Sequence, residues 1–184
     1  MGRTYDTLTE AHQAFLAAQK VFFVATAAPG ARVNLSPKGL DCLRILSDRA
    51  VCWLDVTGSG AETAAHLAAD GRLTVMACAF EGSPLILRLY GRGTSLPRGS
   101  AGYQALLSSA FADREPPGAR QIVRLDFDLV QTSCGFGVPL MSFQEDRQTL
   151  LTWAEGQGED GLRAYRAKKN AKSLDGLPTG LVTD

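Results

Sequence analysis

The chain has only two histidines, His12 and His66, in 184 residues, and neither stands in a cluster of metal-ligating side chains. Its four cysteines, Cys42, Cys52, Cys78 and Cys134, include no C-x-x-C pair, so the spacing of neither a zinc site nor a dithiol redox centre is present. Cys52 and Cys78 sit in apolar runs and read as small core residues. An excess of one charge is missing as well. Nineteen Lys and Arg balance nineteen Asp and Glu, which argues against a nucleic-acid partner, where a basic surplus is usual. No apolar run approaches the roughly 20 residues that cross a bilayer. The opening Met1-Gly2-Arg3-Thr4-Tyr5-Asp6 is not an apolar signal segment. We therefore expect a reduced, cytoplasmic protein without a membrane partner. Catalytic signatures are equally scarce. There is no G-x-S-x-G, no Walker A, and no G-x-G-x-x-G following a strand, and Ser133-Cys134-Gly135 has no histidine near it.

What is present suits an ordinary globular chain: 45% hydrophobic and 21% charged residues. At this length folding buries roughly 70% of the unfolded surface, so the core needs no covalent staple. We expect a single domain over 1–184, with a barrel core about 20–132 and a C-terminal helical extension about 140–184.

Residues 7–20 show helical spacing of Ala11, Phe15 and Ala18, with Thr9 or Thr7 as cap. Val21 to Thr26 is β-branched and aromatic. Pro29-Gly30 turns the chain, and the alternating Arg32 to Ser36 completes a hairpin. Pro37 is expected to stop that ladder, because it lacks an amide donor. Strands are predicted at Leu43–Leu46, Ala50–Leu54, Leu73–Phe80, Leu85–Thr94 and Ile122–Val130. In the last of these, Leu125, Phe127 and Leu129 share one face, and Arg124, Asp126 and Asp128 the other. Gly91 and Gly93 mark a bulge or a close backbone approach. Helices are predicted at Ala61–Ala69, at Ala101–Ala112 and over 144–169, the last broken around Gly156 to Gly161. The tail from Ser173 to Asp184 reads as extended. Six or seven strands that do not alternate with helices point to a mainly β, mostly antiparallel barrel with added helices, not a Rossmann sheet.

One local pattern stands out: Thr57-Gly58-Ser59-Gly60-Ala61-Glu62-Thr63, between a strand end and a helix start. Helix-start amides and the macrodipole favour an anion such as phosphate. Gly58 and Gly60 leave the backbone open to close approach. The same letters fit a capping box in which Ser59 and Glu62 satisfy the helix end, and both readings stay open at this stage. A second pattern, Asn34-Leu35-Ser36-Pro37-Lys38-Gly39, runs a strand into a loop carrying a cation; the alternative is an exposed turn. Arg44, Arg88 and Arg92 are further cations in or near strands.

In their order along the chain, these segments resemble the FMN-binding split barrels related to pyridoxamine 5′-phosphate oxidase. The resemblance rests on Phe22-Phe23-Val24-Ala25-Thr26, Val33 to Gly39, Trp53 to Thr63, His66-Leu67, and Leu89-Tyr90-Gly91-Arg92-Gly93. Gln131 to Leu140, Lys169-Asn170 and Ser173 to Pro178 extend it. It implies a six-stranded antiparallel split β-barrel and a homodimer with FMN between the subunits, acting on a small-molecule substrate. It also implies that Asn34, Leu35, Ser36 and Lys38 line the flavin. By the same resemblance, Asp55, Val56 and Thr57 lie beside the ribityl or ring, Ser59 and Thr63 meet the phosphate, and Arg88 contacts the ring. Two departures set limits. Gly60, Ala61 and Glu62 stand where the true oxidase has Arg and Lys for the phosphate, so Lys38, Arg44, backbone amides or the partner chain must supply the charge. The end Leu177 to Asp184 lacks that enzyme's Arg- and Trp-rich segment, so oxidation of pyridoxamine phosphate itself is not expected. The expected function is an FMN-dependent oxidoreductase; a non-catalytic flavin or haem carrier or sensor, and a deazaflavin-dependent reductase, are the alternatives.

Overall fold

The structure is a computed structural model and describes residues 2–181. Its centre is one antiparallel sheet built from β1 (Arg3–Tyr5), β2 (Phe22–Thr26), β3 (Asn34–Lys38), β4 (Leu43–Ser47), β5 (Ala50–Val56), β6 (Arg72–Cys78), β7 (Ile86–Pro97) and β8 (Ala119–Ser133). Four helices are added: α1 (Glu10–Ala18), α2 (Glu62–Ala69), α3 (Ala101–Phe111) and α4 (Thr149–Lys169). The strands pair in the order β3-β2-β6-β7-β8-β5-β4, and β1 pairs with β8. β2 to β8 fall on the seven predicted segments; the three-residue β1 was not foreseen, because so short a polar stretch has no periodicity to read.

The two ends of this path, β3 and β4, are joined by the loop 39–42, yet among the described residues they do not pair with each other. The barrel is split there. Leu40 and Asp41, at the turn across the split, both take left-handed backbone angles (φ 63° and 49°) that β-carbon sterics disfavour.

The core follows from strand alternation. Val24, Val51, Trp53, Val75, Leu87, Leu89, Val123, Leu125 and Phe127 fill the barrel interior. Cys52, Leu54 and Ile122 face the other way, under Tyr103, Leu107 and Phe111 of α3. β5 is apolar on both faces because it is covered on both. The two histidines are structural. His12 closes a capping box with Thr9 at the head of α1, and His66 is buried with its Nδ1 3.0 Å from Thr26 Oγ1.

Several sequence expectations are corrected. Pro37 does not end its strand: it lies inside β3, opposite Phe23, and an edge strand tolerates a missing amide. Leu129 does not join Leu125 and Phe127 in the core. The register slips between Tyr90 and Gly91, so Tyr90 faces Leu129 while Gly91 faces Phe127, and Val130 is buried in its place. Gly91 makes that bulge possible, since a β-carbon there would lie 2.1 Å from Asp126 O. The helix at Thr149 starts later than expected and kinks at Gly158, within the expected break. The tail turns instead of extending: Ser173 N donates to Leu177 O, and Lys172 bridges to Pro178. Its last three residues lie outside the described ones.

Candidate functional site

A cleft of about 920 Å³ opens at the split in the barrel. Its wall is formed by β3 (Asn34, Ser36, Lys38), the loop 39–42, Arg44, the end of β5 (Asp55, Val56), and the segment Gly58 to Thr63 leading into α2. Loop 111–116 and Leu150 and Leu151 of α4 close the far side. The volume is in the range of small-molecule and cofactor sites, roughly 300–1,000 Å³.

An ion-pair network ties the two sides of the split together. Asp55 is buried at the end of β5; its Oδ1 accepts from Lys38 Nζ on β3 at 2.7 Å. Its Oδ2 accepts from Arg120 Nε at 2.8 Å and from Gln121 Nε2 at 2.8 Å. Burial pushes the Asp55 carboxyl up, but the charges of Lys38 and Arg120, with the hydrogen bonds from Lys38 and Gln121, outweigh it. They hold the group well below the usual carboxylate range. Asp55 is therefore a carboxylate that braces the cleft, and its three donors leave it little capacity to bind a ligand.

Asn34 organises the adjoining wall. Its Nδ2 donates to Thr26 Oγ1 and Thr63 Oγ1, and its Oδ1 accepts from Ser36 Oγ, so one amide joins β2, β3 and α2. Burial pushes the Cys42 thiol up to about 12 against a smaller pull from Lys38, so it stays protonated at neutral pH and is no thiolate nucleophile.

The capping-box reading of Ser59 and Glu62 fails. α2 begins at Glu62 with Ala61 as its N-cap and no side-chain cap, so Ser59 lies two residues before the cap position. Glu62 Oε1 is taken by the amide of Leu174 in the tail. Among the described residues, the amides of Ser59, Gly60, Ala61, Glu62 and Thr63 have no protein acceptor. Gly58 and Gly60 have no positive φ, so backbone strain does not demand glycine there. A β-carbon on Gly58 would project into open space; what glycine provides is an uncovered backbone. Uncapped amides beside an uncovered backbone and the hydroxyls of Ser59 and Thr63 fit a phosphate group.

Formal charge in the wall is less generous. Lys38, Arg44, Arg114 and Arg120 face Asp41, Asp55, Glu62, Asp113 and Glu115, so carboxylates exceed cations by one. Lys38 and Arg120 are held by Asp55, and Arg44 by Asp41. Among the described residues, Arg114 is the cation of this wall without a carboxylate partner.

Of the residues singled out from sequence, Asn34, Ser36, Lys38, Arg44, Asp55, Val56, Ser59 and Thr63 come together in this wall. Three do not. Leu35 points off the edge strand and is 66% exposed. Thr57 is fully buried, donating to Gly118 O at 2.8 Å and accepting from Arg166 Nε at 2.8 Å, so it is a strut. Arg88 donates to Ser133 Oγ outside the cleft. Sequence reasoning missed Arg114, Arg120, Gln121 and the packing of α4. Arg120 and Gln121 enter a buried strand, and two polar residues at the head of an apolar run were the available signal. Asn170 entered only through the resemblance.

An antiparallel split barrel with a ligand-sized cleft at its seam defines the class of protein. The comparisons agree. Residues 8–134 match the family described as pyridoxamine 5′-phosphate oxidase. The pyridoxamine 5′-phosphate oxidase family protein ustO of Aspergillus flavus is 36% identical over 192 aligned positions, covering 95% of this chain and 76% of that one. The chain belongs to the pyridoxamine 5′-phosphate oxidase family. Among solved structures, HupZ of Group A Streptococcus superposes with a TM-score of 0.53 at 16% identity, covering 66% of this chain and 92% of that one. A putative pyridoxamine 5′-phosphate oxidase of Lactobacillus delbrueckii gives 0.53 at 18%, covering 68% and 94%. At these identities the two structures speak for the fold. Among the described residues, no helix is long and apolar enough to cross a membrane.

Proposed function

We propose that this protein binds FMN in the seam cleft and acts as an oxidoreductase on a small molecule. The observation that carries the reading is the head of α2. Five amides without acceptors and an uncovered glycine backbone meet the Ser59 and Thr63 hydroxyls, in a cleft large enough for a flavin. Bound there, a flavin would supply hydride or electron transfer, and the chain's part is to hold and orient it. Ser59, Thr63 and the amides of 59–63 would take the phosphate. Asn34, Ser36 and Lys38 would stand along the rest of the ligand, with Lys38 held in place by Asp55.

A homodimer is part of this reading. The edge strand β3 and its approach expose Val33 (74%) and Leu35 (66%) beside the cleft, an apolar edge that monomers seldom leave uncovered. A second subunit would also offset the missing positive charge in the wall. A cytoplasmic setting accords with four free thiols. Among the described residues, the wall contains no histidine to ligate haem and no track of free cations for a longer phosphodiester, which favours FMN over haem or a deazaflavin. The test is visible spectroscopy and titration of the purified protein. Saturable FMN binding with a thermal shift, by a dimer in light scattering, supports the proposal. A protein that FMN neither stabilises nor binds, or that prefers haem or deazaflavin in competition, refutes it.

A further inference from the structure

The carbonyls of Gly58 and Gly60 border the cleft and would repel an anion if they pointed into it. Both are engaged by side chains. Asn170 Nδ2 donates to Gly58 O at 3.1 Å, and Arg120 Nη1 donates to Gly60 O at 2.9 Å. The two clamps are joined, because Asn170 Oδ1 accepts from Arg120 Nη1 at 2.9 Å. Asn170 is fully buried at the C-cap of α4, where its own carbonyl accepts from Thr179 Oγ1 at 2.5 Å. It is not part of the cleft wall, and it lies outside the residues that match the family.

There is no cis peptide among the described residues, so the Ser59 amide points opposite to the Gly58 carbonyl. With that carbonyl held on Asn170, the amide is turned away from Asn170. A side-chain amide suits the position because it donates to one group and accepts from another; a carboxylate would only accept, and an aliphatic chain would do neither.

We infer that Asn170 is a positioning residue for the anion of the seam cleft. By holding the Gly58 carbonyl back and linking it to Arg120, the segment after α4 turns the Ser59 amide toward the ligand phosphate. This rests on the phosphate-binding reading above. It assigns a role in ligand affinity to the C-terminal segment, which otherwise has the look of mere packing.

The test uses the full chain labelled with ¹⁵N, with inorganic phosphate, FMN and riboflavin (which lacks the phosphate) as probes. In the unmodified protein, phosphate and FMN should shift the Ser59 amide resonance. Asn170→Ala should weaken phosphate and FMN by about tenfold or more, the loss expected for one hydrogen bond to a charged group. It should leave riboflavin affinity within about threefold, since riboflavin presents no phosphate to the turned amide. Equal weakening of FMN and riboflavin would mean a structural role only and would overturn the inference. So would a Ser59 amide that neither phosphate nor FMN moves. If phosphate binds there but neither flavin does, the flavin reading fails, and the phosphate affinity of Asn170→Ala still decides this one. If Asn170→Ala does not fold, Ser59→Pro compared with Ser59→Ala decides, since both lack the hydroxyl, both leave Asn170 intact and only the proline lacks the amide: equal phosphate affinity in the two overturns the proposal, and weaker binding by Ser59→Pro supports it.

Discussion

Replacing Asp55 with alanine removes the one anion that holds Lys38 and Arg120 together across the split barrel. The Arg120 side chain is only 6% exposed and that of Lys38 20%, so neither cation regains full hydration when its partner is lost. Removing one member of a buried ion pair costs about 3–5 kcal/mol. In a chain of this size each kcal/mol lowers the Tm by about 2–4 °C, so Asp55→Ala should melt roughly 6–20 °C below the unmodified protein. Lys38→Met leaves Asp55 with Arg120 and Gln121 and should cost less, about 1.5–3 kcal/mol for one hydrogen bond between charged groups. Urea unfolding followed by circular dichroism measures both, with an unchanged m-value as the sign that the unfolded state is not altered. The pH dependence follows from the same group. Its folded pKa is depressed, so its contribution is complete above the ordinary carboxylate value of about 3.9 and is lost as pH falls below that toward the folded value. The stability gap between the unmodified protein and Asp55→Asn should be level from pH 8 to about 5 and narrow below about 4. A gap that closes between pH 8 and 6 would refute the reasoning, as would an Asp55→Ala loss under about 1 kcal/mol or a larger loss in Lys38→Met.

Three further outcomes are expected. Gly91→Ala should destabilise by about 3 kcal/mol or more in urea unfolding, because its β-carbon meets backbone that has no room to yield; a loss under about 1 kcal/mol would contradict the bulge geometry. Gly58→Ala should leave stability unchanged or slightly raised, since its β-carbon meets nothing, yet should weaken FMN in calorimetric titration by covering the backbone; unchanged affinity would remove the glycine from the phosphate site. Arg114→Ala should leave the Tm within about 2 °C and weaken FMN more than riboflavin, as the loss of an unpaired cation does; equal affinities for FMN before and after the change would clear Arg114 of any role.

Local patterns were legible where neighbours in sequence decide the outcome. The β-branched run at Val21 to Thr26 and the Thr9 cap both act within a few residues of themselves. The phosphate-loop candidate Gly58 to Gly60 was visible for the same reason: a strand end meeting a helix start needs only local spacing. Periodicity failed where a partner strand imposed its own register. Nothing near Leu129 announces that the bulge opposite Gly91 will turn it outward.

By itself, then, the sequence determined the class of fold and the order of its elements, because these rest on propensity, periodicity and short-range spacing, while the family entered through the resemblance of the ordered motifs. Only the tertiary structure decided what each polar residue does. It made Asp55 and Thr57 braces, since Lys38, Arg120 and Arg166 arrive from 17, 65 and 109 residues away to occupy them. It stripped Ser59 of its capping role by starting α2 at Glu62. It also brought Asn170 back across 112 residues to the Gly58 carbonyl. Such pairings are set when the split barrel closes around its core, and no spacing along the chain encodes them.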